Sequence, residues 1–185
     1  NSAKLVKSKF KKYHAIQVYH VSHCEYFDKE SDQRIIDFKN YYKENNKKNY
    51  DAVLFYSETL RKVIPINKKI FLCCVPSSKA NKRNSICYLI EKLAGGPIID
   101  GSGFIVTKKN RSEKKHGATF SDEELANTME VQSNKIPEGY KVLLLDDITT
   151  EGQSFSVCKK LIRDSGFNDE ITCLALGQSA TKFFR

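Results

Sequence analysis

Three continuous apolar runs limit what this chain can fold into: Ile70-Phe71-Leu72-Cys73-Cys74-Val75, Val142-Leu143-Leu144-Leu145, and Ile171 to Leu176. Each has the length of a strand, and none alternates with polar residues, so each must be buried on both faces. Helical patterns lie between them. One runs from Ser78-Lys79 to Gly95-Gly96-Pro97, and another from about Gln153 to Asp164, stopped by Gly166. Ile98-Ile99 and Phe104-Ile105-Val106 read as further strand material around the Gly101–Gly103 turn. Buried strands alternating with helices specify an α/β protein with a doubly wound, mainly parallel sheet.

A length of 185 residues fits one compact domain. Within it, residues 66–185 carry the strand–helix alternation. Residues 1–65 differ, holding most of the 11 Phe and 9 Tyr of the chain and many lysines, and read as a distinct aromatic and basic N-terminal region. Ser31 to Tyr42 reads as a helix with Ser31 as N-cap, and Asp51 to Tyr56 as a short apolar run with no clear period. No apolar run approaches the ~20 residues of a membrane span, and the first residues are lysine-rich and aromatic, which leads us to expect a cytoplasmic protein. The 6 cysteines form no CxxC pair and sit mostly in apolar runs, so they are expected as reduced thiols. The net charge is +9 and concentrated before residue 120, which suits an anionic partner, either nucleic acid or a small polyphosphate.

The chemistry concentrates in Leu143-Leu144-Leu145-Asp146-Asp147-Ile148-Thr149-Thr150-Glu151-Gly152-Gln153-Ser154. A buried strand ends in two carboxylates, and a hydroxyl- and glycine-containing turn then opens a helix. Ligands of open α/β sheets bind beyond the C-terminal strand ends. Helix N-terminal amides favour phosphate, and Gly152 permits an unusual backbone angle there. Asp146 and Asp147 repel that phosphate. They instead accept hydrogen bonds from a neutral diol or hold Mg²⁺ through water. A phosphate, a diol and a metal side by side describe a phosphorylated ribose.

This segment resembles the 5-phosphoribosyl diphosphate (PRPP) motif of type I phosphoribosyltransferases. The resemblance implies that Asp146 and Asp147 contact the ribose hydroxyls and that Thr150, Glu151, Gly152, Gln153 and Ser154 form the 5′-phosphate loop. Glu151 departs from the small or hydroxylic residues common at its position and must point outward. Val75-Pro76-Ser77-Ser78-Lys79 resembles the family's pyrophosphate loop, with Ser77, Ser78 and Lys79 as binding residues and Lys82 and Arg83 adding positive charge. The basic stretch from Thr107 to Gly117 lies where the family has a flexible loop, which here would use Lys108, Arg111, Lys114, Lys115 and His116. ComF-like members often carry an N-terminal zinc ribbon, whose cysteine pairs this chain lacks. His14, His20, His23 and Cys24 fit no standard zinc spacing.

The implied activity is transfer of the 5-phosphoribosyl group from PRPP to a nitrogen acceptor resembling a nucleobase, with release of pyrophosphate. Mg²⁺ is the implied cofactor, Asp146, Asp147 and Lys79 are the implied catalytic residues, and a homodimer is a common family state. The resemblance makes the aromatic and basic region 1–65 the natural candidate for the family's small N-terminal hood, which stacks on the acceptor base. Two other readings stay open. One is a catalytically silent sensor of PRPP or a nucleotide, acting through a protein or nucleic-acid partner, with Lys4, Lys7, Lys9, Lys11 and Lys12 as its basic segment. The other is an unrelated nucleotide- or phosphate-binding α/β domain, although the chain has no GxxxxGK[ST] and no GxGxxG after a strand.

Overall fold

A computed structural model describes residues 6–7, 13–20, 27–41, 46–65, 67–111, 120–133 and 135–180. Its frame is a six-stranded sheet. β1 (Val6–Lys7) pairs antiparallel with β2 (His14–Tyr19) at one edge. The remaining neighbours are all parallel: β2 beside β8 (Ile171–Ser179), then β7 (Lys141–Thr149), β3 (Ile70–Cys74) and β4 (Ile98–Asp100). A separate antiparallel hairpin joins β5 (Ile105–Thr107) to β6 (Met129–Val131).

Every residue of β3 is buried, and so are Val142 to Leu145 of β7. Their side chains alternate between two cores, as the pleat requires. Leu72, Cys74, Leu143, Leu145, Leu174 and Leu176 face α1 (Ser31–Asn40), α2 (Lys47–Val63) and α3 (Ser85–Leu93). On the opposite side, Phe71, Cys73, Val142, Leu144 and Cys173 face α5 (Gln153–Asp164), the short α4 (Asp122–Ala126) and the β5–β6 hairpin. The parallel sheet is therefore covered on both faces, and the adjacent Cys73 and Cys74 belong to different cores.

Three local expectations need correction. First, residues 51–56 are helical, part of the 17-residue α2. Ala52, Val53, Tyr56, Ser57 and Leu60 make its buried stripe, and Asn46 caps it by accepting from the Asn49 N–H. Second, Ser31 is not a cap: its side chain and its N–H both donate to Asp28 Oδ1, which does the capping from outside the helix. Third, α3 starts at Ser85 rather than beside Ser78. Asn84 supplies the cap, accepting from the Cys87 N–H, because residues 76–84 are held as a loop by contacts described below.

The N-terminal region does more than flank the core. β2 lies in register along β8, from His14 opposite Leu174 to Tyr19 opposite Ser179. Two close approaches fix that edge. A Cβ on Gly177 would fall 2.5 Å from Ile35 Cδ1, and one on Gly152 would fall 2.7 Å from the Tyr13 ring. Asp32, fully buried at the start of α1, accepts from the His20 and Asp28 N–H groups and lies 3.1 Å from His20 Nδ1, tying α1 to the end of β2. None of the described helices is long and apolar enough to cross a membrane.

Candidate functional site

The strand order contains one reversal. From β3 the chain passes through α3 outward to β4, whereas from β7 it passes through α5 in the other direction to β8. The loops leaving β3 and β7 must therefore part, and a crevice opens at the C-terminal ends of these two central strands. A cavity of about 530 Å³ occupies it. Val75 to Ser78 form one wall, Asp146, Asp147 and Ser154 another, and Tyr19, Ile36 and Lys39 a third from the N-terminal region.

β7 runs through the acidic pair, with Asp146 opposite Ala175 and Ile148 opposite Gly177, so both carboxylates stand on a paired, rigid strand. Each is partly oriented by the main chain: Asp146 Oδ1 accepts from the Asp147 N–H, and Asp147 Oδ1 from the Ile148 N–H. Burial pushes the Asp146 carboxyl well above its ordinary range, and the neighbouring Asp147 charge pushes the same way. Lys39 Nζ stands 3.6 Å from Asp147 Oδ2. The pair is thus a set of hard oxygen donors facing a crevice, one of them costly to ionise without a cation nearby. Those residues fit Mg²⁺, which takes one or two carboxylates and completes its octahedron with water and substrate oxygens.

Beyond the pair, Gly152 is the N-cap of α5 with φ of 79°. This left-handed backbone favours glycine, and the buried Tyr13 ring occupies the space a side chain would need. The Tyr13 hydroxyl donates to the Thr150 carbonyl. Gly152 therefore serves to let the turn close over Tyr13, a reason the sequence did not reveal. No side chain caps α5, so the amides of its first turn are left for a ligand or water. Ser154 lines the cavity. Gln153 instead turns aside, donating to the Phe120 carbonyl and Asp122 Oδ1. Thr150 and Glu151 are exposed.

The loop after β3 is clamped to the hairpin stem. Thr107 Oγ1 donates to the Ser77 carbonyl, the Arg111 N–H to the Ser78 carbonyl, Arg111 Nη2 to the Pro76 carbonyl, and the Ala80 N–H to Asn110 Oδ1. Arg111 thereby becomes a wall of the cavity. Its Nε is buried without a hydrogen-bond partner among the described residues, and burial lowers its affinity for the proton. Lys79 does not line this cavity. With Lys82, Arg83 and Lys108 it borders a neighbouring one of about 690 Å³. Lys114, Lys115 and His116 lie outside the described residues, as do His23, Cys24 and the side chains of the N-terminal lysines.

Two lining residues escaped the sequence, Tyr19 and Lys39, whereas Lys82 and Arg83, expected beside the Ser77-Ser78 loop, do line the cavity. The parallel pairing of β2 with β8 brings Tyr19 to the mouth of the crevice, and α1, tied to the end of β2 through Asp32 and His20, brings Lys39; nothing local in either segment signals it. Among the described residues no group of three or more His, Cys, Asp or Glu is arranged to hold a metal, so a cation here would rest on the Asp146–Asp147 pair and on its ligand. Neither protein-family models nor curated proteins match this chain.

Proposed function

We propose that this chain is a phosphoribosyltransferase of the type I fold, transferring the 5-phosphoribosyl group of PRPP to a nitrogen acceptor and releasing pyrophosphate. One observation carries the reading: the acidic pair, the uncapped start of α5 and the Ser77-Ser78 loop meet at one crevice, at the reversal of a parallel sheet. Asp146 and Asp147 would accept hydrogen bonds from the ribose diol, and the first-turn amides of α5 with Ser154 would take the 5′-phosphate. Ser77, Ser78 and the guanidinium of Arg111 would face the diphosphate, a role that suits a planar, permanently charged group better than the more distant Lys79. Mg²⁺, when bound, neutralises charge on the departing diphosphate. As the C1–O bond lengthens, positive charge grows on the ribose ring. The chain's own contribution is to hold the sugar and both phosphate ends while the acceptor nitrogen approaches. Tyr19 and Ile36 offer that acceptor an apolar wall.

The test is thermal unfolding with PRPP and Mg²⁺ together. A ligand at 100 times its Kd should add about 2.7 kcal/mol, and Asp147→Asn should remove most of that gain. An unchanged melting temperature would defeat the reading. A second reading, a PRPP or nucleotide sensor without turnover, draws on the Lys39–Asp147 ion pair, which already satisfies part of the acidic pair. Pyrophosphate release across a panel of acceptor bases separates the two. Release supports the enzyme, and ligand stabilisation without release supports the sensor.

A further inference from the structure

Cys74 is the last residue of β3, and Cys87 lies in the first turn of α3. Their sulfurs are 3.9 Å apart, across the base of the loop that carries Ser77 and Ser78. Both border the 690 Å³ cavity, together with Lys79, Lys82, Arg83 and Lys108. Both are buried in the core on the α1–α3 face, and Cys73, Cys158 and Cys173 in the core on the other face, so what sets the pair apart is the cavity it borders. Cys87 is placed as a nucleophile. It sits at a helix N-terminus with Arg83 nearby, while its thiol donates to Asn84 Oδ1 at 3.4 Å, a bond it gives up on ionising. The hydrogen bond from Cys74 is the largest influence holding its thiol down, to about 6, against burial, and the Asn84 backbone and Arg83 act in the same direction. Glu91 pairs with Arg83 and Glu130 borders the cavity, so acidic groups temper the field but do not touch the sulfur. The Cys74 thiol is raised, which suits it to remain the proton donor of the pair.

We propose that Cys74 and Cys87 are a peroxide-sensitive dithiol that closes to a reversible disulfide, with Cys87 attacking and Cys74 resolving. The Cys87 thiolate attacks one peroxide oxygen. The O–O bond breaks, Cys87 becomes a sulfenic acid, and the departing hydroxide takes a proton to leave as water. Cys74 sulfur then attacks Cys87 sulfur. The S–S bond forms as the S–O bond breaks, and the hydroxide leaves as a second water with the Cys74 proton. The two thiols lose two electrons, which peroxide gains. A small-molecule dithiol restores them by exchange. The sulfurs must close from 3.9 Å to about 2.05 Å. That contraction draws the first turn of α3 onto the end of β3 and shortens the base of the Ser77–Asn84 loop, so oxidation is read out at the cavity wall. The step does not depend on the phosphoribosyltransferase reading.

The experiment treats the full chain with hydrogen peroxide, blocks remaining thiols with iodoacetamide and maps the peptides. The expected result is a Cys74–Cys87 cross-link reversed by dithiothreitol, with Cys73, Cys158 and Cys173 still alkylated only after unfolding. In the untreated protein at neutral pH, Cys87 should alkylate at least about tenfold faster than those three. Cys74→Ser should leave Cys87 as a sulfenic acid trapped by dimedone, and Cys87→Ser should abolish both products. The proposal is overturned if peroxide leaves both thiols free, if Cys87 reacts no faster than Cys73, or if the cross-link joins Cys87 to Cys24. The wild-type map decides these points even if a serine variant fails to fold.

Discussion

Gly152→Ala tests the turn on which the proposed phosphate site depends. The alanine would have to hold φ near 79°, with its methyl 2.7 Å and 2.8 Å from two Tyr13 ring carbons. The left-handed backbone costs about 1–2 kcal/mol for a residue with a Cβ. Overpacking a buried site costs about 1–3 kcal/mol, since the ring cannot move without disturbing its contact with Phe155 or its hydrogen bond to the Thr150 carbonyl. A total near 3 kcal/mol corresponds to a melting temperature lower by about 6–12 °C for a chain of this size. Urea unfolding gives the free energy, and a double-mutant cycle with Tyr13→Leu gives its origin. If the ring is the obstacle, the double variant loses less than the two single losses combined, and only the backbone cost remains. A Gly152→Ala loss below about 1 kcal/mol, or strict additivity with Tyr13→Leu, would refute the account of this turn.

Further outcomes follow from the same crevice. Asp146 is a carboxyl whose native affinity for the proton is raised, so the stability it contributes is complete below its unfolded range and is lost as pH climbs through the native one. Asp146→Asn should therefore unfold at a higher temperature than wild type at neutral pH, with a gap that narrows toward acid; a parallel pair of curves would contradict this. Arg111→Ala removes a charged donor to the Pro76 carbonyl, and should cost about 1–2 kcal/mol while speeding amide exchange in residues 76–84. Asn84→Ala takes away the cap of α3 and a bond to the Val75 carbonyl, for a loss of about 1 kcal/mol read by chemical denaturation.

The strands and α5 were legible because burial on both faces leaves an unbroken apolar run, as in Ile70 to Cys74, and the positive-φ glycine marks where α5 begins. α2 was not legible from Asp51 to Tyr56 alone. Phe55 is among the exposed large hydrophobics, and it masks a stripe that emerges only when Leu60 is included. The start of α3 was misplaced because Ser78 and Asn84 are both good caps, and the choice between them is made by Thr107, Asn110 and Arg111, about thirty residues downstream. The acidic pair and Ser77-Ser78 could be named from sequence because each adjoins a strand end. Lys39 and Tyr19 could not, since their place at the crevice depends on pairing between distant segments.

The register that sets His14 against Leu174 has a consequence for synthesis. As the chain leaves the ribosome, β2 and its helices emerge long before the strand that will hydrogen-bond to β2. Once α3 and β3 have emerged, α1 and α2 can pack on them, but the rim of β2 that will pair with β8 stays open until β8 arrives, and until then it needs protection from other unpaired strand edges. Arrival of β8, rather than of any strand between it and β2, is the moment at which that exposure ends.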